Sequence, residues 1–157
     1  MAISEKILAV SNPEDEKFLR RKTAVFDFKN HTKKEIEELI KRMRAIMHKE
    51  NGVGLAANQI GLDLSVFVAS LDNKFYVFFN PKITKESDDL VGREEGCLSL
   101  PGEYAKAYRS DKIILQAEDK NGKAVKIKTW GLLATIFQHE VDHLNGKLFI
   151  DRLRGSL

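Results

Sequence analysis

Two histidines four residues apart, His139 and His143, constrain the fold more than any other feature of this sequence. Residues at i and i+4 lie on one face of a helix, so two imidazoles with this spacing can bind one metal ion. Glu140 follows His139 directly, and its carboxylate can reach a water molecule beside that ion. This is the His-Glu-x-x-His pattern of metal-assisted hydrolysis. The alternative is a surface helix with two solvated histidines.

Apolar residues surround the motif at helical spacing, which predicts a largely buried helix. These residues are Leu132, Leu133, Ile136, Phe137, Val141 and Leu144. Asn145-Gly146 is typical of a helix C-terminus. Because acidic and imidazole side chains are costly to bury unless they are paired or bind a metal, the context favours the metal site over the surface helix.

A catalytic metal of this kind usually has three protein ligands. The residues after His143 contain no His, Glu or Cys, and their single Asp, Asp151, is better explained as an exposed residue in a local charge pair. Upstream lies the only cysteine of the chain, Cys97, between Gly96 and the Pro101-Gly102 turn. A thiolate with two imidazoles suits iron(II), zinc, nickel or cobalt. The alternative for Cys97 is a small buried apolar residue.

Three sequence blocks, in this order, resemble the peptide deformylase family. They are GVGLAANQ from Gly52 to Gln59, EGCLS from Glu95 to Ser99, and QHEVDH from Gln138 to His143. The resemblance implies a metal-dependent hydrolase that removes the N-terminal formyl group from N-formylmethionyl nascent peptides and releases formate. It also implies one divalent metal bound by Cys97, His139 and His143, with iron(II) as the native ion and zinc, nickel or cobalt as substitutes.

The resemblance also suggests roles for individual residues. Glu140 is expected to be the general base, while the Gln59 side chain and the backbone N–H of Leu98 are expected to stabilise the oxyanion. The residues expected to bind the peptide are Gly52, Val53, Gly54, Glu95, Leu132 and Ile136, of which Val53, Leu132 and Ile136 would line the methionine pocket. Since Asn51 stands where an acid is frequent in the family, Arg109 is expected to lack its usual partner.

Local signals predict the remaining elements. Thr32 and Glu35 form a capping box that begins a helix reaching about Glu50. Two hairpins are expected, with strands at 64–69 and 74–80 and at 112–118 and 124–129. We therefore predict an α+β fold in which antiparallel β-sheets pack around a central metal-binding HExxH helix, with a further N-terminal helix. A single domain over residues 1–157 and a core position for Trp130 complete the prediction.

Composition excludes several classes of protein. With 43% hydrophobic and 31% charged residues and a net charge of +3, the chain is typical of a globular protein without a direct nucleic-acid site. No apolar run reaches membrane-spanning length. A single cysteine and the absence of an apolar N-terminal stretch predict the cytoplasm. The expected partners are nascent peptides and the ribosome near its exit tunnel, and we expect a monomer.

Two other functions stay open at this point. A metallopeptidase could use the same helix, and cleavage of unformylated peptides would favour it. A non-catalytic metal-binding module is the second alternative, although a structural metal site usually has four protein ligands.

Overall fold

The computed structural model describes residues 6–153, so both ends of the predicted domain lie outside the described residues and the single domain stays a prediction. In that range the α-helices are α1 (Pro13–Leu19), α2 (Lys33–Lys49) and α3 (Gly131–Leu144). The strands are β1 (Gly54–Ala56), β2 (Val66–Leu71), β3 (Lys74–Glu86), β4 (Leu90–Cys97), β5 (Leu100–Ser110), β6 (Lys112–Glu118) and β7 (Ala124–Trp130). None of the described helices has the length and apolarity that crossing a membrane requires.

Five strands form an antiparallel sheet in the order β1-β2-β3-β6-β7, and β4 and β5 form a separate hairpin. Both predicted hairpins are confirmed. The first turns at Asp72 and Asn73, whose positive φ angles of 51° and 63° suit a tight two-residue connection. The β4–β5 hairpin was not predicted, and it carries Cys97 at the end of its first strand.

The large sheet has a helix on each face. The apolar face of α2 packs on Val66, Val68 and Phe79. On the opposite face, α3 packs on residues that alternate with these, including Phe67 and Phe78. The predicted α+β class is therefore confirmed, with the motif helix buried against the sheet.

The capping box at the start of α2 is also confirmed. The Glu35 N–H donates to Thr32 Oγ1 at 3.1 Å, and the Thr32 N–H donates to the Glu35 carboxylate at 2.8 Å. These two bonds satisfy backbone donors that the first helical turn would otherwise leave unpaired.

Two expectations were wrong. Trp130 does not lie in the core, because it is 70% exposed at the end of edge strand β7. Asp151 is not paired with a sequence neighbour, because its carboxylate binds Arg20 at 2.6 Å across the fold.

Candidate metal centre and substrate groove

Three side chains converge at the centre of the molecule, and all three were predicted as metal ligands. Cys97 Sγ lies 3.2 Å from His143 Nε2, which lies 3.2 Å from His139 Nε2. The three donor atoms all fall within 4.8 Å of one another. Two ligand atoms on one tetrahedral ion at ordinary zinc–nitrogen and zinc–sulfur distances are roughly 3.3–3.6 Å apart. The spacing therefore fits a single bound ion.

Two separate elements supply these donors. His139 and His143 lie one turn apart on α3, with His143 buried and His139 partly exposed to the groove. Cys97 ends β4 at a break in the β4–β5 register, between Gly96 and Cys97. The irregular backbone there turns the thiol toward the helix instead of continuing the strand.

The electrostatics of the centre favour a positive charge between these groups. Burial raises the pKa of the Cys97 thiol, but the two neighbouring imidazoles outweigh burial and hold that pKa well below its usual range. Burial lowers the pKa of His139, whereas its hydrogen bonds with Cys97 and Glu95 raise it to about 10. A thiolate beside two imidazoles suits a divalent cation, so the residues fit the metal that the sequence predicted.

Glu95 lies behind His139 and sets the orientation of its ring. The His139 Nδ1–H donates to Glu95 Oε1 at 2.8 Å, which leaves Nε2 facing Cys97 and His143. Glu95 also accepts two bonds from Arg109, at 2.7 and 3.1 Å. Its side chain was predicted to contact substrate. Glu95 lines the groove, so that role stays a prediction, and its bonds with Arg109 and His139 show that it also positions a metal-ligand candidate.

Arg109 was expected to lack its usual partner because residue 51 is Asn, and in the structure it pairs with two other acidic residues. Its guanidinium bridges Glu95 and Asp142, with a 2.8 Å bond to the latter. Asp142 also binds Arg152 through bonds of 2.8 and 3.0 Å. Asn51 instead adopts a positive φ of 56° where the chain leaves α2. The buried Arg109 is thus neutralised by acids from β4 and α3.

Glu140 lies beside the three donors and is almost fully buried. Burial raises the pKa of its carboxyl group. Its Oε1 has no hydrogen-bond partner among residues 6–153, so this oxygen is available to a reactant. Gly54 makes this position possible, since a Cβ there would lie 2.8 Å from Glu140 Cδ. The backbone at Gly54 therefore lies directly against the Glu140 carboxylate.

The Gln59 amide has one orientation that its neighbours allow. Its oxygen accepts the Ala56 N–H at 2.9 Å, and because that group can only donate, the amide nitrogen must face the other way. The nitrogen lies 3.1 Å from Ser99 Oγ and 3.7 Å from Cys97 Sγ. Gln59 thus presents a hydrogen-bond donor at the metal centre.

A groove of about 610 Å³ opens beside the centre. Every predicted site residue lines it except His143, which is buried next to Cys97. Val53 and Leu132 are about half exposed on its walls, while Ile136 is buried. Leu98 also lines the groove, and its side chain lies close to the Gly52 backbone.

Sequence reasoning missed several residues of the site. Asp142 and Arg152 support the centre together with Arg109, which the sequence analysis named without placing it there. The presence of an acid inside a buried helix was the signal that could have revealed Asp142. Arg93 Nη1 donates to Thr135 Oγ1 at 2.9 Å and links the hairpin to α3. No spacing pattern in the sequence marks that contact.

The sequence matches a known protein family over nearly its whole length. The family model described as polypeptide deformylase matches residues 5–156. Among curated proteins, a peptide deformylase from Borreliella burgdorferi is 45% identical over 125 residues, which is 78% of this chain and 75% of that protein.

Solved structures agree with the sequence comparison. The crystal structure of peptide deformylase from Thermotoga maritima superimposes with a TM-score of 0.86 at 32% identity, covering 96% of this chain and 97% of that one. A peptide deformylase from Synechococcus elongatus, solved in complex with actinonin, gives 0.85 at 33% identity and covers 95% of this chain and 78% of that one.

Proposed function

The chain belongs to the peptide deformylase family, and from that membership we propose how its own residues perform the reaction. The enzyme is a hydrolase that removes the N-terminal formyl group from formyl-methionyl nascent peptides and releases formate. The observation that carries the assignment of residues is the convergence of Cys97, His139 and His143 beside the buried carboxylate of Glu140.

We assign Cys97, His139 and His143 as ligands of one divalent ion. The family is metal-dependent, and the spacing of the three donors together with the lowered pKa of Cys97 supports the assignment. An ion bound there would act as a Lewis acid that polarises a water molecule and the formyl oxygen. One thiolate and two imidazoles accept several ions, so the donor set does not select one. From the family resemblance we take iron(II) as the native metal, with zinc, nickel or cobalt as substitutes in purified protein.

Glu140 is the proton carrier of the mechanism. Its free Oε1 accepts a proton from the attacking water, whose oxygen forms a bond to the formyl carbon. When the carbon–nitrogen bond then breaks, the same carboxyl group gives that proton to the departing amine. A raised pKa suits this double role, since the group must hold the proton between the two steps.

Gln59 and Leu98 stabilise the oxygen of the formyl group. The Gln59 amide nitrogen already points toward Cys97, and its orientation is fixed by the Ala56 N–H. A donor held in place before the reaction stabilises developing negative charge without reorganisation. The backbone N–H of Leu98, the residue directly after Cys97, provides the second donor.

The peptide binds as an added strand. β1 is the terminal strand of the large sheet, and it faces the β4 hairpin across the groove. Edge strands offer free backbone groups to an extended peptide. Gly52 and Gly54 line the groove along which its main chain would run, while the methionine side chain fits against Val53, Leu132 and Ile136. An apolar pocket of this kind discriminates by about 1–3 kcal/mol per methylene.

The setting of the reaction follows from the substrate. We place the enzyme in the cytoplasm, as a monomer that meets nascent peptides where they leave the ribosome.

Two substrates test this assignment of function. Formyl-Met-Ala-Ser should yield formate and intact Met-Ala-Ser, while unformylated Met-Ala-Ser should remain uncleaved. Replacing the first residue by alanine should lower kcat/KM, because the apolar pocket is left unfilled. Cleavage of the unformylated peptide would instead support a metallopeptidase.

A further inference from the structure

One part of the large sheet has no helix over it. On one face of the sheet, α2 covers β1, β2 and the first half of β3. The residues beneath it include Val66, Val68 and Phe79. On the same side, the second half of β3 together with β6 and β7 presents exposed or half-exposed residues. We call this region the open face. An antiparallel sheet face can remain solvated, so its composition indicates what it meets.

Lysines are arranged on the open face by strand register. Lys82 and Lys126 pair with Gln116 from its two sides, and Lys85 and Lys128 pair with Ile114 in the same way. Across β6 the two lysines of each row are thus about 10 Å apart, and along β7 Lys126 and Lys128 are about 7 Å apart. The rows are invisible in the sequence, where the β3 lysines lie far upstream of those of β7.

Trp130 lies at the end of this array. It pairs with Lys112, the fifth lysine of the open face, and it is 70% exposed. Thr129 points inward, so the alternation of the strand turns the Trp130 ring to the open face. A large aromatic ring that is this exposed and lies beside lysines does not pack as a core residue would.

The lysines of the open face have no acidic partner in the part of the chain that the structure describes. None of the five lysines forms an ion pair with a residue in the described range, 6–153. The Glu118 carboxylate, at the far end of the face, accepts a hydrogen bond from the Asn80 side chain at 2.8 Å. Glu86 lies toward Arg152, together with which it lines a second cavity.

We propose that the open face binds single-stranded RNA, with phosphates on Lys82, Lys85, Lys112, Lys126 and Lys128 and a base stacked on Trp130. Proteins that bind single strands without sequence preference combine a basic surface with exposed aromatic rings. Lysines in two rows match a flexible polyanion, and the indole ring supplies the stacking surface. This role does not depend on the deformylase reaction, because none of these residues lines the substrate groove.

The composition of the open face favours RNA over a lipid surface. Binding in a membrane interface requires several apolar side chains that insert together. Here the outward positions beside Trp130 are mostly lysines, with Gln116 and the half-buried Ile114 between them. Trp130 also lies two residues before Leu132 of the groove, so RNA on this face would lie near the groove mouth.

The single tryptophan makes the proposal directly measurable, because all indole fluorescence of the chain comes from Trp130. Titration of the full-length protein with short unstructured oligo(A) RNA should quench this fluorescence. A plot of the logarithm of the association constant against the logarithm of salt concentration should have a negative slope. Its magnitude should reach up to about 3.5 if five phosphates are bound. Fluorescence that does not change with RNA would overturn the proposal.

Matched variants separate the open face from general positive charge. The Lys126→Gln, Lys128→Gln double variant should weaken binding of labelled RNA and reduce the salt slope by about 1.4. Lys33→Gln with Lys34→Gln, two exposed lysines at the start of α2, should leave both unchanged. Formate release from formyl-Met-Ala-Ser and the thermal midpoint should stay constant in both variants, which shows that each remains folded.

Four results would contradict the RNA site. Equal weakening by the α2 control pair would show unspecific attraction. If polyglutamate, a polyanion without bases, bound as tightly as RNA, base stacking on Trp130 would contribute nothing. Unchanged RNA affinity in Trp130→Ala would show the same. Tighter binding to phosphatidylserine vesicles than to RNA would identify the open face as a lipid-binding surface.

Discussion

The Nδ1–H of His139 donates to Glu95 Oε1 at 2.8 Å, and this one bond determines which nitrogen of the ring faces Cys97. Glu95 is in turn held by Arg109, so a metal-ligand candidate on α3 is oriented by a carboxylate from β4 and a guanidinium from β5. Such outer contacts typically contribute a factor of about 10–100 to metal affinity.

Replacing Glu95 by Gln should therefore weaken metal binding by about 10–100-fold, because the His139 ring loses its charged partner. Competition with a chelator of known affinity measures the change. The exposed neighbour Glu94→Gln is the control and should bind the metal as the natural protein does. Equal affinities in all three proteins would exclude a positioning role for Glu95.

Glu140→Ala should retain the metal and lose turnover. The carboxylate lies beside the three donors, and it is not one of them, so the metal content after dialysis should not change. Removal of a general acid–base group typically costs about 10²–10⁴-fold in rate. Metal analysis and formate release on the same preparation test this pair of expectations, and a parallel loss of both would mean that Glu140 is part of the metal site.

Gly54→Ala should lower kcat more than Gly52→Ala does. At Gly54 a Cβ would collide with the Glu140 carboxylate, whereas at Gly52 it would meet the end of the Leu98 side chain at 3.1 Å, which can move. Steady-state kinetics with formyl-Met-Ala-Ser compare the two variants. Equal kcat values would show that Glu140 is not held by the Gly54 backbone.

Arg109→Leu should destabilise the fold by about 3–5 kcal/mol, because it leaves two buried carboxylates without their shared cation. The free energy of unfolding in urea provides the measurement. Arg93→Leu, which removes a half-buried guanidinium bonded to Thr135, should cost less. A loss below that of Arg93→Leu would mean that Arg152 and His139 suffice to neutralise the two acids.

Asp151 gives the stability a defined pH dependence. Burial alone raises its pKa, but hydrogen bonds from Arg20 and the Leu148 N–H outweigh burial and lower it. The pKa of Asp151 in the folded protein lies below the unfolded value of about 3.9. The ionised carboxylate therefore stabilises the fold above about pH 3.9, and this stabilisation is lost as the pH falls through the folded pKa.

The Asp151→Asn variant should therefore melt below the natural protein at pH 7, and the two midpoints should converge in acid below about pH 4. The exposed Asp88→Asn substitution should show no such convergence. Midpoints for Asp151→Asn that stay equally far apart at both pH values would contradict the linkage.

Much of the site could be predicted because its chemistry is encoded locally. The spacing of His139 and His143 needs only one helix, and the hairpin turns at Asp72-Asn73 and Asn121-Gly122 need only a few residues each. The α+β class follows from these elements.

The β4–β5 hairpin could not be predicted, because the contacts that offset the glycines of β4 come from residues of β5. Gly92 and Gly96 weaken β4 when it is read alone. In the structure they pair with Tyr108 and Tyr104, whose rings lie against the glycine backbone. A cross-strand contact of this kind cannot be recognised in either strand by itself.

The long-range ion pairs were missed for a related reason. Arg109 and Asp142 come from β5 and α3, and the family pattern at Asn51 pointed to a different partner. Trp130 was placed wrongly although a signal existed, because the alternation through Lys126 and Lys128 already turns position 130 outward.

The most direct test of the central claim is formate release from formyl-Met-Ala-Ser by protein prepared without oxygen, before metal removal, after it and after metal restoration. We expect activity to vanish with the metal and to return with iron(II) or nickel. In Cys97→Ser, restoration should require a higher concentration of these ions, since the softest ligand is lost. Formate release that persists in fully metal-free protein would contradict the account.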